Sequence, residues 1–428
     1  MRVDIRKIYT VLLLIMPIIN SYNFWSLQNF YIFTIIAIII SLICLRDEKS
    51  IEVSGSLLLY LCYMVFSCVI PVIFLNLGVS SVITRLLRFG SYFLVFFLMG
   101  YKLIDQELLY KTYKAFCITF SVLILIQYLA SLAGHPFTLL IPNTIINGEL
   151  NSSEYITSQL RENRFSTFFL EPAHQAQYML PCLGITLFMT NEDGKADLKG
   201  ALLISIGMAT TTSMLGILGA GIIWLVYYGD ILRSKNPRRL LQLIVLVVLA
   251  VIVISIGLQQ PIIQEQIRKK TSSFNGLRII RGTSSYARLA LGWECFGSLD
   301  FFHKLFGVGF RYTEAYLEQS GLGAQLYSGT LVSVGYMNGM SKMLFDIGII
   351  GTILFFAMLG SFIRNKFDKT IGILLVSFFI IMFTSDCYPQ PSMYLPILLI
   401  INHAYMNGYT EMSKVPNSAT RGYQYGRN

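Results

Sequence analysis

The chain has 428 residues, of which 54% are hydrophobic and only 13% charged, with a net charge of +10. A soluble globular domain carries roughly 25% charge, and apolar runs that recur along a whole chain belong to a polytopic membrane protein rather than to a water-soluble enzyme. The surplus of Lys and Arg sits largely in short links between apolar runs, as the positive-inside rule expects, so no nucleic-acid partner is inferred.

Arg2, Arg6 and Lys7 precede the first apolar run. No small-residue cleavage site follows, so this run reads as a retained first helix. Spans are expected at about Ile8–Ile19, Phe30–Leu45, Ser56–Leu75, Leu86–Ile104, Tyr113–Ala133 and Pro172–Met189. Later ones fall at about Leu240–Leu258, Gly339–Ile363, Ile371–Ser385 and Pro391–Tyr405. As a single helix, Gly200–Tyr228 would be about 43 Å long, against a hydrocarbon core of roughly 30 Å. Two passes turning near Thr210–Ser213 keep the clusters from Arg233 to Arg239 and from Arg364 to Lys369 on the cytoplasmic side, which a single pass would not. The expected architecture is therefore all-α, with about 12 transmembrane helices and both termini cytoplasmic.

This makes residues 1–407 a single membrane domain, followed by a flexible cytoplasmic tail over 408–428. Two long segments, 134–171 and 259–338, interrupt the short links and become external loops, and long loops commonly carry function. The seven cysteines lie mostly in or beside apolar runs without metal-ligand spacing, so they read as small buried hydrophobes, and no metal or cofactor is expected.

The second loop is rich in cations: Arg268, Lys269, Lys270, Arg278, Arg281, Arg288, Lys304 and Arg311. A long translocated loop is largely exempt from the charge rule and can simply be solvated. The alternative is an anion site, because guanidinium groups clamp phosphate oxygens in pairs. Thr283 or Ser284 can cap a helix starting near Tyr286. Leu289, Trp293 and Phe296 then share an apolar face, and Arg288 projects away from its centre. Such a helix either aims Arg288 at a substrate or lies at the interface with the arginine reaching water. Phe306-Gly307-Val308-Gly309-Phe310 reads as a glycine turn and lacks the pattern of a nucleotide loop.

The first loop ends in Arg164 to His174, with Leu170-Glu171-Pro172 at a helix start. Glu171 either caps that helix or presents a carboxylate to the same cavity as the arginines. His174, one turn further in, is a packing residue or part of a proton path. Arg85 and Arg88 flank the expected outer end of the fourth span, where they either anchor the interface or join the same positive field.

Arg288-x-x-x-x-Trp293, Phe306-Gly307-Val308-Gly309-Phe310, Asn338 and Gly348-Ile349-Ile350-Gly351, in that order, resemble the large-loop pattern of the bacterial O-antigen polymerase and ligase superfamily. Arg164 with Glu171-Pro172 is similar to an R…EP element of the polymerases. The resemblance implies a helical fold of the GT-C type acting at the plasma (inner) membrane, with the site facing the periplasm or cell exterior. It also implies an undecaprenyl-pyrophosphate-linked oligosaccharide as donor and another as acceptor, without a nucleotide sugar. A flippase and a chain-length regulator of the same pathway, together with membrane lipids, are the further partners it implies. The Arg-to-Trp gap is one residue longer than the family form, and Met337 stands where ligases carry a His before the Asn. The implied activity is therefore polymerase ahead of ligase, with a lipid-linked glycan transporter as the reading from another class. Arg288, Arg164 and Glu171 are the expected catalytic residues, with Arg288 facing the leaving pyrophosphate and Glu171 as base. Arg281, Arg278, Arg311, His174, Trp293, Asn338 and Arg88 are the expected substrate contacts.

Overall fold

The computed structural model describes residues 4–20, 22–24, 27–45, 55–75, 78–98, 103–139, 164–189, 196–233, 264, 268, 271–272, 274–275, 278–281, 283–321, 337–364 and 366–414. These form helices α1 (Ile5–Ile19), α2 (Asn29–Leu45), α3 (Gly55–Leu75), α4 (Val79–Tyr92, continued by a π-helical turn, Phe93–Leu98) and α5 (Gln106–Leu132). There follow α6 (Pro172–Phe188), α7 (Leu198–Thr210), α8 (Met214–Arg233) and, in the second loop, α9 over residues 284–297. Then come α10 (Phe301–Phe306), α11 (Thr313–Gln319), α12 (Gly339–Ile363), α13 (Lys369–Thr384) and α14 (Pro391–Lys414). The only strands among the described residues form two antiparallel hairpins, Asn23–Phe24 with Leu27–Gln28 and Phe274–Asn275 with Arg278–Ile279.

Gly55–Phe74, Gln106–Leu132, Met214–Arg233 and Gly339–Ile363 are each long and apolar enough to cross a membrane. Their outward faces carry Leu58, Leu129, Leu225 and Ile353, all exposed. A protein that turns such residues outward along apolar helices presents an exterior suited to lipid. Helix α6 runs through the middle of the bundle, packed on α5, α7, α8, α13 and α14, and is buried along almost its whole length.

The stretch from Gly200 to Tyr228 is indeed two helices. Helix α7 ends at Thr210, Thr212 adopts a left-handed conformation (φ 53°), and α8 begins at Met214. The Thr211 side chain satisfies the turn: its hydroxyl donates to the Met208 carbonyl at 2.6 Å and accepts from the Ser213 amide at 3.2 Å. The expected span at Leu240–Leu258 lies outside the described residues, as do Lys269, Lys270 and most of the first loop. Helix α14 continues to Lys414, past the expected start of a flexible tail at 408. Cys68, Cys117, Cys182, Cys295 and Cys387 are buried, as small hydrophobes would be, whereas Cys62 is exposed.

Helix α12 is broken. Gly348 sits inside it with φ 67° and ψ −176°, and a Cβ there would meet the Leu305 carbonyl carbon at 2.6 Å. The break leaves carbonyls without partners, which is tolerable in an apolar bundle only if protein supplies them. The Phe306–Phe310 turn does so. The Val308 amide donates to the Phe345 carbonyl at 3.0 Å and the Gly309 amide to the Asp346 carbonyl at 2.9 Å. Tyr63 on α3 places its hydroxyl between the Ile347 and Phe306 carbonyls, at 2.7 and 2.9 Å. The glycine turn therefore docks the second loop into the broken helix.

Candidate functional site

Two residues far apart in the chain define the site. Glu171 is the N-cap residue of α6, with extended backbone and Pro172 at the first helical position, yet its side chain makes no capping hydrogen bond. Its carboxylate instead lies 3.7 Å from the Arg288 guanidinium. The two side chains are 16% and 31% exposed, so solvent reaches the pair. At this separation the contact is charge attraction rather than a fitted hydrogen bond, so the planar fork of Arg288 keeps donors for another anion.

The local structure around Arg288 explains its position. The Thr283 hydroxyl caps α9, accepting from the Tyr286 amide at 3.2 Å. The helix then opens into a π turn, Ala287–Leu291, before closing again over Gly292–Gly297. Widened turns of this kind recur at functional sites because they free a carbonyl and re-aim a side chain. Here the Arg288 carbonyl accepts from the Asn338 side-chain amide at 2.6 Å. Asn338 is fully buried and caps α12, its oxygen accepting from the Ser341 amide at 2.9 Å. Gly292 lets α9 lie against the first turn of α12, since a Cβ there would meet Ser341 Cβ at 2.7 Å.

Two further charged residues join this pair. Lys342, one turn into α12, donates to Asp386 at 3.3 Å, and their side chains are 15% and 21% exposed. Asp386 lies in the short link between α13 and α14, and the neighbouring Ser385 carbonyl accepts from the Gly339 amide at 2.7 Å, tying that link to α12. Burial pushes the Asp386 carboxyl up to about 6. Lys342 opposes this by charge and hydrogen bond, Glu171 adds to it, and Arg288 opposes it more weakly. All four groups thus share one electrostatic environment.

A second, more positive region lies on the far side of the glycine turn. The Arg311 amide donates to Asp346 at 2.9 Å, the Thr313 hydroxyl also bonds that carboxylate, and Arg311 is left-handed at φ 61°. Arg85 reaches the Arg311 carbonyl at 3.2 Å and places its guanidinium 3.5 Å from the centre of the Tyr312 ring. Arg88 faces Tyr31, 5.3 Å from the ring centre. Burial, followed by repulsion from Arg88, makes the Arg311 guanidinium less basic than usual. Arg88 Nε and one terminal nitrogen of Arg311 are buried without a hydrogen-bond partner. Arg88 repels Arg311 while Asp346 attracts it, and the surplus of guanidinium over carboxylate favours an anion beside them.

The expected site residues therefore divide. Glu171, Arg288 and Asn338 come together, with Asn338 acting as a positioning residue because both ends of its amide are used inside the protein. Arg88 and Arg311 come together separately. Arg281 is held by Glu294 at 3.1 Å on a side chain that is 72% exposed, away from the Glu171 pair. Trp293 stacks on Phe383 of α13, the ring centres 6.1 Å apart, and so anchors α9 to the bundle. Arg164 and His174 are half-buried near the start of α6, and Arg278 contributes backbone to the second hairpin.

No family model and no curated protein sequence matches the chain. The functional reading therefore rests on the residues themselves. Among the described residues, no group of three or more His, Cys, Asp and Glu side chains is placed to hold a metal ion.

Lys342 and Asp386 belong to the site but carry no motif. Lys342, like Asp346, is a charge within the apolar stretch Gly339–Ile363, and ionisable residues in such stretches mark functional positions. That signal was available for Lys342. Asp386 had none beyond its place between two apolar helices.

Proposed function

We propose that this chain is a bacterial membrane glycosyltransferase of the O-antigen polymerase kind. It moves a growing glycan from undecaprenyl pyrophosphate onto the terminal hydroxyl of another lipid-linked repeat, at the outer face of the plasma membrane, with about twelve passes in a GT-C-like arrangement. The observation that carries this reading is the meeting of Glu171 and Arg288, which belong to the two long loops and form a part-exposed charged pair at the head of a helix of the apolar bundle.

The chemistry demands stabilisation of negative charge on the departing lipid pyrophosphate, and a preorganised guanidinium meets that demand. Arg288 is suited to it, because its backbone is fixed by Asn338 and its pairing with Glu171 is loose. Arg88 and Arg311 form a second positive station. A polymerase whose donor and acceptor both carry pyrophosphate has use for two such stations. The test is purified protein incubated with a defined lipid-linked repeat unit. A ladder of longer lipid-linked glycans supports the reading, and transfer to a different surface acceptor with no ladder would move it to the ligase class.

A further inference from the structure

Transfer of a sugar to a hydroxyl needs a group to take the hydroxyl proton. Three side chains near Arg288 qualify by type: Glu171, His174 and Asp386. Glu171 is already engaged with the Arg288 guanidinium, the group that faces the leaving pyrophosphate, at 3.7 Å. His174 sits one turn into α6, and among the described residues no hydrogen bond or ion pair ties its side chain to the charged group. Asp386 is bound to Lys342 rather than to Arg288, at 3.3 Å, and keeps 21% of its side chain open.

We infer that Asp386, held by Lys342, accepts the proton of the attacking hydroxyl; this rests on the glycosyl-transfer reading above. In the step, the hydroxyl oxygen bonds to the anomeric carbon of the donor while that carbon's bond to the pyrophosphate oxygen breaks. The electron pair of the broken bond stays on the lipid pyrophosphate, which Arg288 faces. The hydroxyl proton passes to an Asp386 carboxylate oxygen and returns to water after turnover. No co-reactant is needed.

The electrostatics suit the task. A general base works best when its proton affinity lies near the working pH, because it must be ionised and still bind a proton well. Burial brings Asp386 to about 6, so it is mostly ionised at neutral pH while holding a proton more firmly than an ordinary carboxylate. Lys342 from α12, Glu171 at the head of α6 and Arg288 from α9 are the charged groups acting on it. Lys342 keeps the buried carboxylate charged and fixes its direction.

The test is the pH dependence of single-turnover elongation by the full-length protein, with lipid-linked donor and acceptor at saturation. Wild type should lose rate as pH falls through about 6, in a one-proton acid limb. Asp386→Asn should slow chemistry by about 10²-fold or more, with donor affinity retained and the acid limb gone. Lys342→Met should move the limb to higher pH, because the cation that favours the carboxylate has been removed. Glu171→Gln should leave the limb within a few tenths of a pH unit, shifted if at all to lower pH. Asp386→Glu and Lys342→Met keep the test alive should Asp386→Asn fold poorly. An unchanged rate and limb in Asp386→Asn, with wild type active, overturns the inference and leaves the function standing. Loss of the limb in Glu171→Gln also overturns it. Absence of elongation by wild type removes the function and the base together.

Discussion

Glu171 heads helix α6 without capping it, and its carboxylate lies 3.7 Å from Arg288 on the second loop. A glutamate before a helix-starting proline ordinarily serves its own helix amides, for which it is worth about 0.3–1 kcal/mol. Here that role is unfilled, and the side chain is given to a contact between loops. Glu171→Gln should therefore change thermal stability little. Elongation should slow by roughly tenfold, the scale of about 1.4 kcal/mol, through loss of the charge that orients Arg288. Thermal unfolding in detergent and single-turnover rates measure the two effects separately.

Arg288→Lys keeps the charge and removes the planar fork, so it tests directional recognition rather than field. The expected outcome is a loss of elongation of about 10²-fold or more with folded protein retained. Near-native turnover by Arg288→Lys would rule out paired contacts to pyrophosphate oxygens. Neutralising Lys269 or Lys270 should cost far less, since a lysine run suits a general positive field.

Arg311 is held left-handed at φ 61° beside Arg88, with a buried nitrogen lacking a partner. Asn tolerates that backbone and removes the repulsion. Arg311→Asn should leave stability unchanged or raise it by about 1 kcal/mol, while weakening binding of a pyrophosphate-bearing lipid. Calorimetry with undecaprenyl pyrophosphate and with the uncharged alcohol separates an anion site from an apolar lipid groove. Equal loss of both ligands would contradict an anion station.

Gly348 sets the docking of the glycine turn. Gly348→Ala meets both a left-handed backbone and the Leu305 carbonyl carbon at 2.6 Å. The expected cost is at least about 1–3 kcal/mol, read as a lower unfolding temperature together with loss of activity. The same change at Gly360, where a Cβ has open space, should be neutral or mildly stabilising.

Orientation is tested by single cysteines in a cysteine-free background. A probe replacing Lys366, between α12 and α13, should react only from the cytoplasmic side. A probe replacing the exposed Ser298 in the second loop should react only from outside. The reverse pattern would place the site on the wrong face of the membrane for a lipid-linked glycan polymerase.

Much of the frame was legible in the residues. Apolar runs and the Thr210–Ser213 break predict α7 and α8, and Thr283 and the glycine turn predict how the second loop is shaped. Their physics is local, set by periodicity, caps and backbone freedom. The direction of the Glu171 side chain was not legible, because Leu-Glu-Pro reads equally well as a cap until a partner from the other loop is known. Asn338 could be marked by its motif but not assigned inward, since its amide partners lie on α9 and in its own first turn. Asp386 was invisible for a similar reason. Its character comes from burial against Lys342, and burial is a property of the assembled bundle.

Glycan polymerisation is tested by elongation of a defined undecaprenyl-pyrophosphate-linked repeat by the purified protein, resolved as a glycan ladder. Wild type should give a ladder, Arg288→Lys a strongly diminished one at equal folded protein, and Lys269→Gln an intact one. A folded wild-type protein that yields no product longer than the supplied repeat, across lipid-linked repeats of varied sugar composition, would contradict glycan polymerisation.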